Sequence, residues 1–216
     1  WKPLVDPSGD ALLPMIMGHE NAGWVEEVGS NVRGLRVGDP VILHPKITDP
    51  YDINVRRGHD MHAEGKFLGL DCDGGYAEYL TTNQRNIVAL PKHLEPKAVA
   101  AFADAGLTAY HASKKASQQL LPGQFVVVIG AGGLGHIGIQ VLKAMCGAEI
   151  IAIDNSDVAL QLAKDCGADH LIKADGSEVD QVLELTSGGA QIVMDYVGEK
   201  GTTTKGLNMT RPMGSY

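Results

Sequence analysis

The feature that most restricts this chain is a glycine turn set between an apolar strand and a helix. Phe125–Ile129 is an unbroken apolar run of buried-strand type, and Gly130-Ala131-Gly132-Gly133-Leu134-Gly135 follows it directly. Ile137, Val141, Leu142 and Met145 then recur at helical spacing until Gly147, and residues 150–153 form a second buried strand ending at Asp154. This is one parallel βαβ unit, whose handedness limits everything built onto it. Strands at His170–Lys173 and over residues 191–195 alternate with helices over 155–167, capped by Asn155, Ser156 or Asp157, and at Glu178–Thr186. The expected fold class for this half is therefore α/β, a doubly wound parallel sheet covered on both faces. Four strands are complete and a fifth begins only at Gly214-Ser215. The outer edge of residues 191–195, with Ile192, Val193 and Met194, is thus expected to be bare and prone to pair with another chain.

The turn has a chemical reading. Its first glycine permits the sharp bend, the second lets a pyrophosphate approach the backbone, and the third lets helix and strand pack closely. The helix start offers free N–H groups and the positive end of its dipole to phosphate. Asp154 follows Gly130 by 24 residues, a spacing that suits a carboxylate bonding both ribose hydroxyls. Such a carboxylate repels a 2′-phosphate, so the pattern favours NAD over NADP.

Upstream of residue 90 the texture differs. Short Val-rich runs over residues 23–28, 39–43, 75–81 and 86–90 alternate with Gly, Pro, Asp and Asn, the pattern of an irregular β region. An Ala-rich helix is expected over residues 97–120, interrupted at Gly106. These boundaries divide the chain into residues 1–105 and 106–216. With 44% apolar and 20% charged residues the sequence reads as globular. A net charge of −8 without a basic cluster argues against nucleic acid and anionic membranes as partners. No apolar run approaches the roughly 20 residues of a membrane span, and no secretory leader opens the chain at Trp1. Cys72, Cys146 and Cys166 lack Cys-x-x-Cys spacing and read as reduced thiols, which points to the cytoplasm.

Gly18-His19-Glu20-Asn21-Ala22-Gly23, followed by Gly29, Val32 and Gly38-Asp39, resembles the His-Glu signature of zinc-dependent medium-chain alcohol dehydrogenases. Asp104-Ala105-Gly106-Leu107-Thr108 resembles the segment carrying the acidic zinc ligand in bacterial secondary-alcohol members. The likeness runs from Pro14 to Tyr216 with the motifs in the family's order. It implies an incomplete GroES-like domain followed by an incomplete Rossmann domain, an internal piece of a longer enzyme. It also implies His19 and Asp104 as zinc ligands, with Glu20 behind them or as a transient fourth ligand. Thr108 would help place the nicotinamide, and Gly130, Gly132, Gly133, Leu134, Gly135, Asp154 and Val197 would bind NAD. The implied activity is reversible oxidation of an alcohol to an aldehyde or ketone by a homo-oligomeric parent. A catalytic zinc takes three protein ligands and leaves a position for water or substrate oxygen.

The sequence departs from that family in two places. The remaining zinc ligand, a cysteine expected just upstream of Trp1, is absent together with the proton relay that follows it, so this chain alone is expected to be inactive. Between His44 and Leu70, where many relatives hold a structural zinc with four cysteines, the matching positions are Asp49, Asp52, Val55 and Ala63, which rules out a four-cysteine site. His59 and His62, with Asp60 and Glu64, read as a polar loop rather than a replacement metal site. The rival readings are a polyol or threonine dehydrogenase, a zinc-free quinone reductase relative, and a non-catalytic NAD-binding relative.

Overall fold

A computed structural model describes residues 14–216, which divide into two compact units, one ending at Ala105 and the other Gly106–Tyr216. In the first, β1 (Ala22–Trp24), β2 (Pro40–Leu43) and β5 (Ile87–Ala89) form an antiparallel sheet in the order β1-β2-β5. A smaller ribbon pairs β3 (Lys46–Thr48) with β4 (Gly65–Phe67), and α1 (Ile53–Arg56) lies in the lobe between them. Val25, Val41, Leu43 and Leu68 make the buried core, a small one because each strand is only three or four residues long.

Inside the lobe, Lys46 is a buried lysine tied by its ammonium to the carbonyls of Met61 at 3.0 Å and Ala63 at 2.7 Å. Its own carbonyl accepts from Asn86 Nδ2 at 2.6 Å, which joins the lobe to the end of the main sheet. A buried ammonium is tolerated only where oxygen atoms replace its lost water, and here two backbone carbonyls do so.

The second unit is a five-stranded parallel sheet in the order β10-β9-β6-β7-β8. Its strands are β6 (Phe125–Ile129), β7 (Glu149–Asp154), β8 (His170–Lys173), β9 (Ala190–Asp195) and β10 (Thr210–Ser215). Helices α4 (Gly135–Met145), α5 (Asp157–Asp165), α6 (Glu178–Thr186) and α7 (Thr202–Met209) connect them. Alternation along β6 explains the layering. Val126 and Val128 pack with Ile139 and Leu142 of α4, while Val127 and Ile129 pack with Val182 of α6 and Met209 of α7. A strand buried on both faces must be apolar throughout, which is why it reads as a continuous run.

Three expectations need correction. Residues 75–81 are not a strand. Gly74, Gly75 and Tyr76 instead donate their N–H groups to the carbonyls of Ile16, Gly18 and Met17, so the backbone serves as a clasp rather than a ladder. The expected helix over 97–120 is three pieces: α2 (Pro96–Val99), a 3-10 turn at Ala100–Ala103, and α3 (Ala105–Ser117). The break falls at Asp104, whose φ of −130° and ψ of −63° leave the helical region, and not at Gly106. The edge of β9 is not bare either. β10 pairs with it in parallel through Thr210↔Ala190 and Ser215↔Ile192, with a register shift between them. That cover removes the reason to expect aggregation or fast amide exchange from an unpaired 191–195 segment.

Candidate functional site

The glycine turn between β6 and α4 has the shape that phosphate binding needs. Gly130 has φ +86°, and a side chain there would press on Val197 Cγ2 at 2.7 Å. A Cβ on Gly135 would overlap the Gly130 carbonyl oxygen, so α4 starts as close to the strand as the backbone permits. At Gly132 and Gly133 the opposite is true: nothing lies within 4 Å of an added Cβ, and the backbone faces open space. Leu134 is the N-cap residue of α4, and its side chain makes no capping bond. The open backbone at Gly132 and Gly133, beside the start of α4, is compatible in its chemistry with an anionic phosphate group.

Asp154 closes β7 beside this turn. Its Oδ2 accepts from Ala131 N at 2.8 Å and its Oδ1 from Ser156 N at 2.8 Å. The carboxylate thereby fastens the glycine turn to the start of α5. A cavity of about 270 Å³ is lined by Gly130, Asp154, Asn155 and Val197 together with Glu178, Lys200, Thr202 and Lys205. Glu178 and Lys205 were not apparent from sequence. The available signal was spacing: Glu178 precedes Val182 by one helical turn, which puts a carboxylate on the buried face of α6. Thr108 is exposed in the first turn of α3.

Tyr196 follows β9 and packs against Gly138 of α4, where an added Cβ would come within 2.7 Å of the phenol oxygen. Gly138 is therefore the gap that the tyrosine ring fills. Burial pushes the Tyr196 phenol above its ordinary pKa, against a smaller lowering by the Ser113 hydroxyl.

In the first unit the His-Glu motif and Asp104 come together as expected. His19 Nε2 lies 3.2 Å from Asp104 Oδ2, both side chains about one-third exposed. Two donors around a tetrahedral zinc with bonds of about 2.0–2.1 Å stand roughly 3.3 Å apart, so the pair matches one edge of such a site. Glu20 Oε1 accepts from Ala105 N at 3.0 Å and so fixes the backbone next to Asp104. The loop bearing His19 is itself clasped. Gly18 takes φ +105°, and side chains on Gly69 or Gly74 would collide with its backbone. Among the described residues no group of three or more His, Cys, Asp or Glu side chains converges. In the lobe, the rings of His59 and His62 rest 5.9 Å apart, and Asp60 faces Arg85 at 3.4 Å.

Comparison with known proteins agrees with this geometry. A family profile described as "Alcohol dehydrogenase GroES-like domain" matches residues 7–92, and one described as "Zinc-binding dehydrogenase" matches residues 133–216. The NAD-dependent alcohol dehydrogenase of Sulfolobus acidocaldarius is 35% identical over 97% of this chain and 60% of its own length. The NADP-dependent isopropanol dehydrogenase of Clostridium beijerinckii is 33% identical over 93% of this chain and 59% of its own. A crystal structure of the alcohol dehydrogenase from Aeropyrum pernix superposes with a TM-score of 0.90 at 46% identity, covering 94% of this chain and 60% of that one. The chain thus spans about 60% of the length of these two curated relatives. With an antiparallel first unit, a five-stranded parallel second unit and both profiles in sequence order, the chain belongs to the zinc-binding medium-chain alcohol dehydrogenase family.

Proposed function

We propose that this chain carries the dinucleotide site and two of the metal-holding residues of an NAD-linked alcohol dehydrogenase that interconverts an alcohol with an aldehyde or ketone. The observation that supports it best is one cavity lined by both the Gly130 turn and Asp154. Gly132 and Gly133 leave room for the pyrophosphate, and the α4 N-terminus supplies N–H donors to it. Asp154 receives the ribose hydroxyls, Val197 and Leu134 border the site, and Thr108 contacts the nicotinamide side. His19 and Asp104 hold the metal, and Glu20 keeps Asp104 in place through Ala105 N. When bound, zinc polarises the substrate oxygen and NAD takes up the hydride. The same arrangement serves a polyol or threonine substrate equally well, and the alcohol is left open.

Nicotinamide fluorescence titration tests the cofactor half. NADH is expected to bind at least tenfold more tightly than NADPH, a difference of about 1.4 kcal/mol. Asp154→Ala should narrow that gap, and equal affinity in the wild type would remove NAD selectivity from the reading. Metal analysis tests the other half. With two converging donors among the described residues instead of the three a catalytic zinc uses, the purified chain should retain well under one zinc per chain after dialysis. Full retention would mean that a further ligand had been overlooked.

A further inference from the structure

Asp154 is not the only charged residue lining this cavity: Glu178 and Lys205 line it too. They form an ion pair in which the Glu178 side chain is 3% exposed and the Lys205 side chain 42%. Glu178 Oε2 also accepts from Gly176 N at 2.7 Å, so both its oxygens are engaged. Burial alone would raise its pKa, but the bonds from Lys205 and the backbone outweigh this and lower it, keeping the carboxylate ionised at neutral pH. The cavity's other lysine, Lys200, is 83% exposed and sits 3.3 Å from Glu199.

The lining thus presents the Asp154 carboxylate and two lysines, Lys205 held by the buried Glu178 and Lys200 beside the exposed Glu199. Stability alone is a poor reason for such an arrangement, because a buried ion pair is often equalled or bettered by apolar residues of similar volume. Its electrostatic effect on a ligand is specific. A 2′-phosphate brings nearly two negative charges. To be welcome here it would need an uncommitted cation.

We propose that Glu178 is a second cofactor-selecting residue: by engaging Lys205 it denies the cavity a free cation, and so reinforces Asp154 in selecting NAD over NADP. The inference rests on reading this cavity as the dinucleotide site. Family membership does not decide the matter, since relatives of similar identity include both an NAD-dependent and an NADP-dependent dehydrogenase.

The test is fluorescence titration of the whole chain with NADH and NADPH. Glu178→Gln keeps the side chain's shape and its acceptor for Gly176 N while releasing Lys205. NADPH affinity is expected to improve at least threefold relative to NADH, and Glu178→Gln/Lys205→Met should lose that gain. An equal change for both cofactors, or weaker NADPH binding in Glu178→Gln, overturns the proposal. The wild type gives a measurement that needs no variant. If repulsion dominates, the ratio of Kd for NADPH to Kd for NADH falls as salt rises, because screening relieves it. A ratio that rises with salt means the phosphate meets a free cation, and also overturns the proposal. Failure to bind either cofactor would instead remove the dinucleotide reading itself. Clear NADH preference that Glu178→Gln leaves unmoved refutes only the role of Glu178.

Discussion

Gly135→Ala is expected to weaken NADH binding beyond tenfold and to destabilise the chain by about 3 kcal/mol, the upper range for forcing extra volume into a packed interior. The obstruction is backbone rather than a flexible side chain: the new methyl group would overlap the Gly130 carbonyl oxygen and lie 2.8 Å from its carbon. Relief requires α4 to move away from β6. That movement displaces the helix N-terminus from the phosphates and separates Val128 from Ile139 and Leu142. Gly132→Ala is the control, since its Cβ meets nothing within 4 Å. It should leave stability within about 0.5 kcal/mol, the usual range for open surface sites, while still obstructing the ligand. Two variants in one turn should therefore separate folding from binding. Equal stability of both would show that helix and strand are less closely packed than described.

Gly74→Ala is expected to produce the largest loss in the first unit, again about 3 kcal/mol or more. A methyl group there would overlap the Gly18 carbonyl oxygen while lying 2.5 Å from Gly69 Cα and 2.7 Å from Gly69 N. Three stretches of backbone meet at this point, and none can yield cheaply. The clasp also holds Ile16 N against Asp73 Oδ1 at 2.9 Å, so its disruption frees the loop that carries His19. Hydrogen exchange should show amides of residues 16–18 and 74–76 losing protection together. NADH affinity should stay within twofold, because the glycine turn and Asp154 belong to the other unit. Unchanged protection would mean the clasp is dispensable.

The two units differed in how much their sequences revealed. Strand β8 and helix α6 begin and end where expected, because each is an uninterrupted pattern bounded by Gly, Asp or Ser. Burial on both faces makes the central strand β6 plain to read, and it too runs over the residues expected. In the first unit, β2 and β5 fall within the runs expected over 39–43 and 86–90, but β3 and β4 carry too little alternation to register, and residues 75–81 imitate a strand while the bonding is done by backbone at 74–76. The His19–Asp104 meeting could be anticipated only through resemblance of separate motifs, since the two lie 85 positions apart in the chain. The helix break at Asp104 has no proline or glycine to mark it. Lys205 and Glu178 are 27 residues apart, and neither side chain's local pattern names its partner. β10 was expected only from Gly214-Ser215, because Pro212 and Gly214 interrupt a strand that starts at Thr210 and whose pairing tolerates a register shift.

The buried Lys46 ammonium has a consequence for how the lobe responds to its surroundings. A bound ion stabilises a fold by an amount that grows with the logarithm of its free concentration, so that contribution fades on dilution or chelation. Lys46 is attached to the chain, and its bonds to Met61 and Ala63 form by an intramolecular step. Their contribution is the same at any protein concentration and in the presence of any chelator. For the connection that Lys46 makes, the lobe is buffered against the ionic composition of its medium.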